Sequence, residues 1–186
     1  MSWNIVRLAD VQATPWRNGG GITRELAAWP AAGDWAWRMS VAEVDRSGPF
    51  SRFDGVERWF AVLEGAGVVL DVDGMPHRVT AGDAPLFFDG AAATDCRLID
   101  GRTQDFNLMV RKGRAPSRMH SVRGSLSATV DAPETIAVYA HETGATVLFD
   151  DEILPLPPAS LAWRTVTGRA TVRITARHAL WMEIPA

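Results

Sequence analysis

Polar side chains recur at every second position in three short segments of the chain, and their types suit the binding of a small anion. Arg38 and Ser40 alternate with apolar residues in the first segment, and Arg58 shares a face with Phe60 in the second. The third segment places on one face Asp105, Asn107, Met109 and Arg111. Alternate residues of a β-strand project to the same side, so each segment is expected to present its polar groups together.

Two interpretations of these polar faces are open from the sequence. Each face could be the solvated side of an antiparallel sheet, which is the commoner arrangement. Alternatively, the faces meet inside a small barrel, where a buried arginine must be paired or must bind an anion. One arginine–carboxylate contact contributes ~1.5–3 kcal/mol net, so two contacts would supply much of the ~8 kcal/mol of a micromolar affinity.

Other chemistries are poorly represented in the sequence. The four histidines are widely separated and, apart from Glu183 five residues after His178, have no possible ligand at metal-binding spacing; a single cysteine cannot form a cysteine metal cluster. Cys96 has no histidine nearby, and the motif Gly-x-Ser-x-Gly does not occur, so nucleophilic catalysis is not indicated. We therefore expect no metal ion and no cofactor.

The most unusual composition is the run WRNGGGITRE at residues 16–25. Its glycines do not continue into Gly-Lys-Ser/Thr, and no strand–helix pattern surrounds them, so a nucleotide-binding loop is not predicted. A glycine triplet permits positive φ and a close approach of the backbone to a neighbour. The run is either a plain loop or a loop lying against a small ligand, with polar contacts from Asn18, Thr23 and Arg24.

Hydrophobic alternation with period two recurs along the chain, whereas no amphipathic helical pattern exceeds two turns. Turn residues such as glycine, aspartate and proline separate the alternating segments. Short strands at this spacing predict an all-β sandwich or barrel. The predicted strands are 35–43, 57–64, 67–73, 85–88, 105–111, 136–139, 146–149, 161–165, 170–175 and 180–184.

A weak internal repeat predicts two modules. The residues AV, VL and D within 61–73 recur in the same order within 137–151, which matches Asp73 to Asp151. The polar, basic stretch 111–125 is the expected link between the repeats. The sequence therefore predicts an N-terminal module, residues 1–113, that includes the glycine-rich segment, and a degenerate C-terminal module, residues 114–186.

Composition excludes several classes of partner. The chain has 186 residues, 22 acidic and 19 basic side chains and a net charge of −3, without the concentrated positive charge that nucleic-acid binding requires. No apolar stretch approaches the ~18–20 residues of a membrane helix, and the N-terminus has no apolar signal core, so neither membrane insertion nor export is expected. A single cysteine suits the reducing cytoplasm, which is the expected location.

The segments LEGAGVVL (63–70), DG (73–74) and AGDAP (81–85) resemble the core of a cupin. The resemblance implies a double-stranded β-helix, also called a jelly roll. Cupins usually bind a transition metal through two histidines and a glutamate before the first of these segments and a further histidine after the last. Here the stretch 53–59 has no histidine, and Arg58 stands in the position of the glutamate. A guanidinium repels cations, so the resemblance implies a cupin that has lost its metal site.

A wider set of motifs resembles the HutD/Ves family: WRNGGGITRE (16–25), WRMS (37–40), GPFSRFDGVER (48–58), FAVLEG (60–65) and DFNLMVR (105–111). The resemblance implies a metal-free double cupin, or bicupin, of the bacterial cytoplasm with no established catalytic reaction. One branch of the family is associated with histidine utilisation and another with environmental stress. The characteristic residues that the resemblance carries over are Asn18, Thr23, Arg24, Glu25, Arg38, Ser40, Phe50, Ser51, Arg58, Asp105, Asn107 and Arg111.

The leading hypothesis is a protein that binds a small carboxylate and modulates histidine utilisation or a related metabolic or stress response. Arg58 and Arg38 would hold the carboxylate and Ser51 and Asn107 would orient it. The apolar walls would be Trp16, Phe53 and Phe60. The family resemblance implies urocanate or an N-substituted glutamate as the ligand, and a homodimer is compatible with the sequence.

Two alternatives remain open at this point. The chain could be a metal-independent cupin enzyme, an isomerase or lyase that acts on a small carboxylic acid with Glu57, Glu64 or Asp105 as general base. It could instead be an interaction module that binds a protein partner. The absence of a histidine placed beside these carboxylates favours binding over catalysis.

Overall fold

The computed structural model describes residues 2–113, 115–131 and 133–185. The chain divides into two compact units, which we call the N-terminal unit, Val11–Gly113, and the C-terminal unit, Met1–Asp10 with Arg114–Ala186.

The first ten residues, which the sequence assigns to the N-terminal module, belong to the C-terminal unit. The reason is strand β1 (Asn4–Arg7), which pairs antiparallel with Ser160–Val166 through the whole of its length. A one-turn 3₁₀ helix, Leu8–Asp10, follows β1. No helix in the described part of the chain is long and apolar enough to cross a membrane.

The N-terminal unit consists of two antiparallel sheets. Its strands are β2 (Thr14–Pro15), β3 (Gly21–Pro30), β4 (Trp35–Val44), β5 (Gly48–Pro49), β6 (Val56–Glu64), β7 (Val68–Val72), β8 (Met75–Val79), β9 (Leu86–Asp89), β10 (Thr94–Leu98) and β11 (Thr103–Arg111). The six-stranded sheet has the order β2-β3-β4-β11-β6-β9, and the four-stranded sheet has the order β5-β10-β7-β8. The prediction of an all-β chain is confirmed.

Alternate residues of the two sheets form one apolar core. Phe60 and Val62 of β6 pack against Leu70 of β7 and Cys96 of β10, with Val44 of β4 beside them. These side chains are almost completely buried, as period-two alternation dictates when one face of each sheet is covered.

The polar residues of the three central strands also face this interior. Ser40, Arg58 and Asn107 are 4%, 5% and 6% exposed, and Asp105 is fully buried. The interpretation as solvated surface is therefore wrong for these four residues, which meet inside the sandwich. The six-stranded sheet thus carries an apolar section and a polar section on the same concave face.

The C-terminal unit is a single antiparallel sheet of seven strands. Besides β1, they are β12 (Arg118–Val130), β13 (Glu134–Ala140), β14 (Ala145–Phe149), β15 (Glu152–Leu156), β16 (Ser160–Val166) and β17 (Ala170–Pro185). The order is β1-β16-β13-β17-β14-β15, and β12 also pairs with β17. Its own core includes Ile136, Val138, Val147, Ile174 and Trp181.

Two predictions about this unit are wrong. The stretch 111–125 is not a link throughout, because strand β12 starts at Arg118 and is paired with β17 from Arg118 to Val130. The strands predicted at 170–175 and 180–184 are one strand, β17. A register shift between Val122 and Gly124 keeps the two long strands paired across the polar residues that had suggested a break.

Candidate ligand-binding site

A cavity of about 400 Å³ opens into the polar section of the N-terminal unit. Strand β4, strand β11 and strand β6 supply its floor, and residues of the β2–β3 hairpin and of the segment between β5 and β6 supply its walls. The predicted site residues among its lining are Asn18, Thr23, Arg38, Ser40, Phe50, Ser51, Phe53, Arg58, Phe60 and Asn107. Residues that were far apart in sequence therefore line one space.

The glycine-rich run is a β-hairpin turn rather than an irregular loop. Gly19 has a φ of 67°, and an added Cβ at Gly21 would collide with the carbonyl oxygen of Glu43 on β4, so glycine is required for the close approach of these strands. The side chain of Asn18 accepts a hydrogen bond from the amide of Gly20 at 2.9 Å, which fixes the turn that borders the cavity.

Two side chains of this hairpin are held together at the cavity wall. The indole Nε1 of Trp16 donates to Oγ1 of Thr23 at 2.7 Å. The Trp16 ring also meets the Phe50 ring edge to face, with centroids 6.1 Å apart, and Phe50 lies against Phe60 at 5.9 Å. One wall of the cavity is therefore a continuous row of aromatic rings.

Arg58 carries a buried positive charge at the base of the cavity. Its Nη2 donates to Oδ1 of Asn107 at 3.1 Å, and its Nη1 lies 3.4 Å from the carbonyl oxygen of Ser51. Its Nε has no hydrogen-bond acceptor among the described residues. Within the same part of the chain, no carboxylate lies within salt-bridge distance of Arg58, so only uncharged groups compensate its charge.

Aromatic faces surround the same guanidinium. The Cζ atom of Arg58 lies 5.4 Å, 5.6 Å and 5.0 Å from the ring centroids of Phe50, Phe53 and Phe88. Burial, together with the nearby charge of Arg38, lowers the pKa of Arg58 from its usual value to about 10. The arginine is still protonated at neutral pH, but folding places its charge in an unfavourable environment.

Arg38 lines the cavity but already has a carboxylate partner. Its Nε donates to Oε2 of Glu25 at 2.6 Å. Glu25 does not line the cavity. Its neighbour Arg24 lies on the opposite face of β3, where it pairs with Glu43 at 2.5 Å and takes no part in the cavity.

Two further predicted site residues lie elsewhere. Arg111 is half exposed, donates from Nε to the carbonyl oxygen of Trp35 at 2.7 Å and lies over the ring of that residue. Asp105 is on the concave face but is enclosed beyond the cavity lining, beside Ala42 and Val62.

The environment of Asp105 is unusual for a carboxyl group. Thr103 Oγ1 donates to its Oδ2 at 2.8 Å, and no donor among the described residues reaches its Oδ1. Burial raises the pKa of Asp105 to about 7, and the Thr103 hydrogen bond offsets only part of the effect. Asp105 also contributes to the raised pKa of the Cys96 thiol, whose main cause is burial.

The predicted residues omitted part of the lining. The additional members are Pro15, Arg17, Ala42, Val44, Pro49 and Met109, whereas Trp16, one of the expected apolar walls, is part of the lining. Ala42, Val44 and Met109 continue the alternation that identified Ser40 and Asn107, so the same pattern could have found them. Phe88, which stacks near Arg58, lies opposite it in the β6–β9 register, and no signal in the sequence specifies that pairing.

Comparison with known proteins identifies the chain. The HutD family model matches residues 8–182, which is nearly the whole chain. The chain belongs to the HutD family. A similar protein is the "Uncharacterized 21.2 kDa protein in hutC 3'region" of Pseudomonas putida, 34% identical over 145 residues, which are 77% of this chain and 76% of the relative. Protein Ves of Citrobacter koseri is 36% identical over 116 residues, 59% of this chain and 60% of Ves.

Two solved structures of similar sequence share the whole fold. HutD from Pseudomonas fluorescens SBW25, solved in a formate condition, is 31% identical with a TM-score of 0.87, and both chains are covered completely. A conserved protein of unknown function from Pseudomonas aeruginosa PAO1 is 31% identical with a TM-score of 0.90 over the same coverage. The resemblance to the HutD/Ves family is thus confirmed.

More distant structures show only the fold. The salicylate 1,2-dioxygenase of Pseudaminobacter salicylatoxidans superposes with a TM-score of 0.64 at 10% identity, covering 98% of this chain and 83% of the dioxygenase. The protein Ylba of E. coli gives a TM-score of 0.74 at 11% identity, covering 100% of this chain and 91% of Ylba. The HutD-family chain therefore has a cupin-like all-β fold, which agrees with the cupin motifs in its sequence.

The metal ion that a cupin fold implies does not fit the cavity of this HutD-family chain. The lining offers guanidinium, hydroxyl and amide groups but contains no histidine, and a guanidinium cannot coordinate a cation. His141 and His178 do meet in the C-terminal unit, with ring centroids 5.4 Å apart. Within the described residues, however, no group of three or more histidine, cysteine or acidic side chains is placed to hold a metal.

Proposed function

We propose that this protein binds a small carboxylate in the cavity of its N-terminal unit, with Arg58 as the main anchor. The observation that carries the proposal is the state of Arg58: buried at the base of the cavity, charged, and without a carboxylate partner among the described residues. A buried charge of this kind is costly unless an opposite charge compensates it. A carboxylate in the cavity would supply that charge.

The groups around Arg58 support an organic acid rather than a bare inorganic ion. The hydroxyl of Ser40 and the amide of Asn107 lie next to each other across β4 and β11, where they can accept or donate hydrogen bonds. The aromatic row that includes Trp16 and Phe50 provides an apolar wall for the remainder of the ligand. A volume of about 400 Å³ lies in the usual range for small-molecule sites.

Binding is favoured over catalysis by the position of the acidic residues. Of the described residues that line the cavity, none is acidic. Glu57, Glu64 and Asp105, the candidate general bases of an isomerase or lyase, therefore lack the access to a bound ligand that proton transfer requires.

Family membership supports a regulatory or metabolic role near histidine utilisation or a stress response. Urocanate and an N-substituted glutamate are the candidate ligands, because both are small carboxylates connected with histidine degradation. We place the protein in the cytoplasm, in keeping with its free, buried thiol at Cys96.

We also infer that both units are cupin modules, which would make the chain a bicupin. A hairpin supports the duplication: Gly67 and Gly144 both have positive φ and approach the carbonyl oxygens of Val79 and Leu156. At the hairpin turns, the side chains of Asp73 and Asp150 accept hydrogen bonds from the amides of Ala93 and Thr171, each at 2.8 Å. The residue that corresponds to Asp73 is thus Asp150, one position before the Asp151 that the sequence repeat suggested.

The binding proposal is tested by thermal shift and titration calorimetry with acetate, benzoate, urocanate and N-acetylglutamate. A ligand present at 100 times its Kd should stabilise the protein by ~2.7 kcal/mol. The variant Arg58→Met keeps most of the side-chain volume but removes the charge, and it should bind about 10- to 100-fold more weakly.

The matched control is Arg97→Ala, which removes an exposed arginine from β10 of the same unit and should leave the affinity unchanged. If no acid in this panel binds, or if Arg58→Met binds as tightly as the wild type, the proposal is wrong. In the first case a protein partner becomes the better hypothesis, and co-purification with such a partner would support it.

A further inference from the structure

The two ion pairs between β3 and β4 stand on opposite faces of the same strands. On the concave face, Glu25 binds Nε of Arg38 at 2.6 Å. On the other face, Arg24 binds Glu43 at 2.5 Å. The four side chains are similarly exposed, between 21% and 34%, so the pairs differ mainly in whether they adjoin the cavity.

The pair on the concave face changes the charge that a ligand meets. Three arginines line the cavity: Arg17, Arg38 and Arg58. Glu25 compensates the charge of Arg38 through their ion pair, and it is not itself part of the cavity lining. Arg17 is exposed on the hairpin turn, where water and salt screen its charge. The enclosed part of the cavity therefore has one uncompensated positive charge, on Arg58.

We infer that Glu25 sets the charge of the ligand: by neutralising Arg38, it makes the cavity selective for a monocarboxylate over a dicarboxylate of the same skeleton. This inference rests on the proposed function and narrows its ligand class: of the two candidate ligands, it favours urocanate, which has one carboxylate, over an N-substituted glutamate, which has two. A second carboxylate in the cavity would lose its hydration and would meet no unpaired positive group in the enclosed region. Glu25 is thus a specificity-determining residue that does not itself touch the ligand.

The experiment compares monocarboxylates with dicarboxylates of the same skeleton by calorimetry: benzoate with isophthalate, and acetate with malonate. The wild-type protein should bind the monocarboxylate of each pair at least ~10-fold more tightly. In Glu25→Gln, which is isosteric but uncharged, the charge of Arg38 is no longer compensated by an acidic partner. The ratio of affinities should shift by about 10-fold towards the dicarboxylate.

Two further variants separate charge from structure. Glu43→Gln breaks the ion pair on the opposite face and should leave the ratio as in the wild type. Glu25→Asp keeps the negative charge with a shorter side chain and should retain the preference for the monocarboxylate. If Glu25→Gln does not fold, the wild-type ratio still decides the question.

The outcomes distinguish the two proposals. If the wild type binds benzoate and acetate but prefers the dicarboxylates, or if Glu25→Gln binds with an unchanged ratio, the inference about Glu25 is overturned while the proposed function stands. If the wild type binds neither member of either pair and none of the acids in the wider panel, the proposed function itself fails, and the inference fails with it.

Discussion

Arg58→Met is expected to make the ligand-free protein more stable. The fall of the Arg58 pKa from its usual value to about 10 means that folding disfavours its charged form by about 3 kcal/mol. At neutral pH the arginine is protonated in both the folded and the unfolded chain, because both pKa values lie above 7. The whole penalty is therefore present under ordinary conditions, and an apolar side chain removes it.

Part of this gain is offset by contacts that the substitution removes. The hydrogen bond to Asn107 contributes about 1 kcal/mol, and the cation–π contacts with the rings of Phe50, Phe53 and Phe88 contribute about as much again. Methionine recovers some of the latter, because its thioether packs well against aromatic rings. The net expectation is a gain of about 1–2 kcal/mol.

The assay is thermal unfolding at pH 7 of the ligand-free wild type, Arg58→Met and the surface control Arg97→Ala. The melting temperature of Arg58→Met should rise by about 2–8 °C for a chain of this size, whereas Arg97→Ala should stay within about 1 °C of the wild type. A less stable Arg58→Met would refute the reasoning. It would mean that groups within the protein already compensate the charge of Arg58, so that no anion is needed to do so.

Three further perturbations have defined outcomes. Because burial raises the pKa of Asp105 from 3.8 to about 7, the free energy of unfolding of the wild type should fall as pH rises between these values. The fall should be at most about 4 kcal/mol between pH 4 and pH 8. Urea denaturation across this range measures it, and Asp105→Asn should lose this pH dependence. Gly21→Ala places a methyl group against the carbonyl oxygen of Glu43. Thermal unfolding should show a loss of stability of about 2–4 kcal/mol, and benzoate binding should be weaker. An unchanged Tm would contradict the close approach of the two strands. Asp73→Ala and Asp150→Ala remove equivalent hydrogen bonds and should each lose about 1–2 kcal/mol in denaturant titrations; a loss at only one site would count against the duplicated hairpin.

The central strands could be predicted from the sequence because their alternation is strong. The prediction of 35–43 corresponds to Trp35–Val44, and the predicted strand 57–64 corresponds to Val56–Glu64. Short strands such as Thr94–Leu98 were missed, since their polar residues resemble those of a turn. Strand β12 was mistaken for a link because one of its faces is largely exposed and polar, so its alternation has little hydrophobic contrast.

The site was predictable in part for the same reason. Arg58 and Asn107 were placed together because each lies on the polar face of a strand, and register does bring them into contact. The different roles of Arg24 and Glu25 could not be predicted. Adjacent residues of a strand point to opposite faces, but only the strand pairing decides which of the two faces the cavity.

The two ion pairs between β3 and β4 also fix how these strands align. A shift of β3 by one residue would turn Glu25 outward and direct Arg24 into the cavity, leaving three enclosed or adjoining arginines without an acid. Charge repulsion between the arginines would then add to the loss of hydrophobic contacts in disfavouring the misaligned pairing. The two ion pairs thus also favour the native register of the β3–β4 pairing.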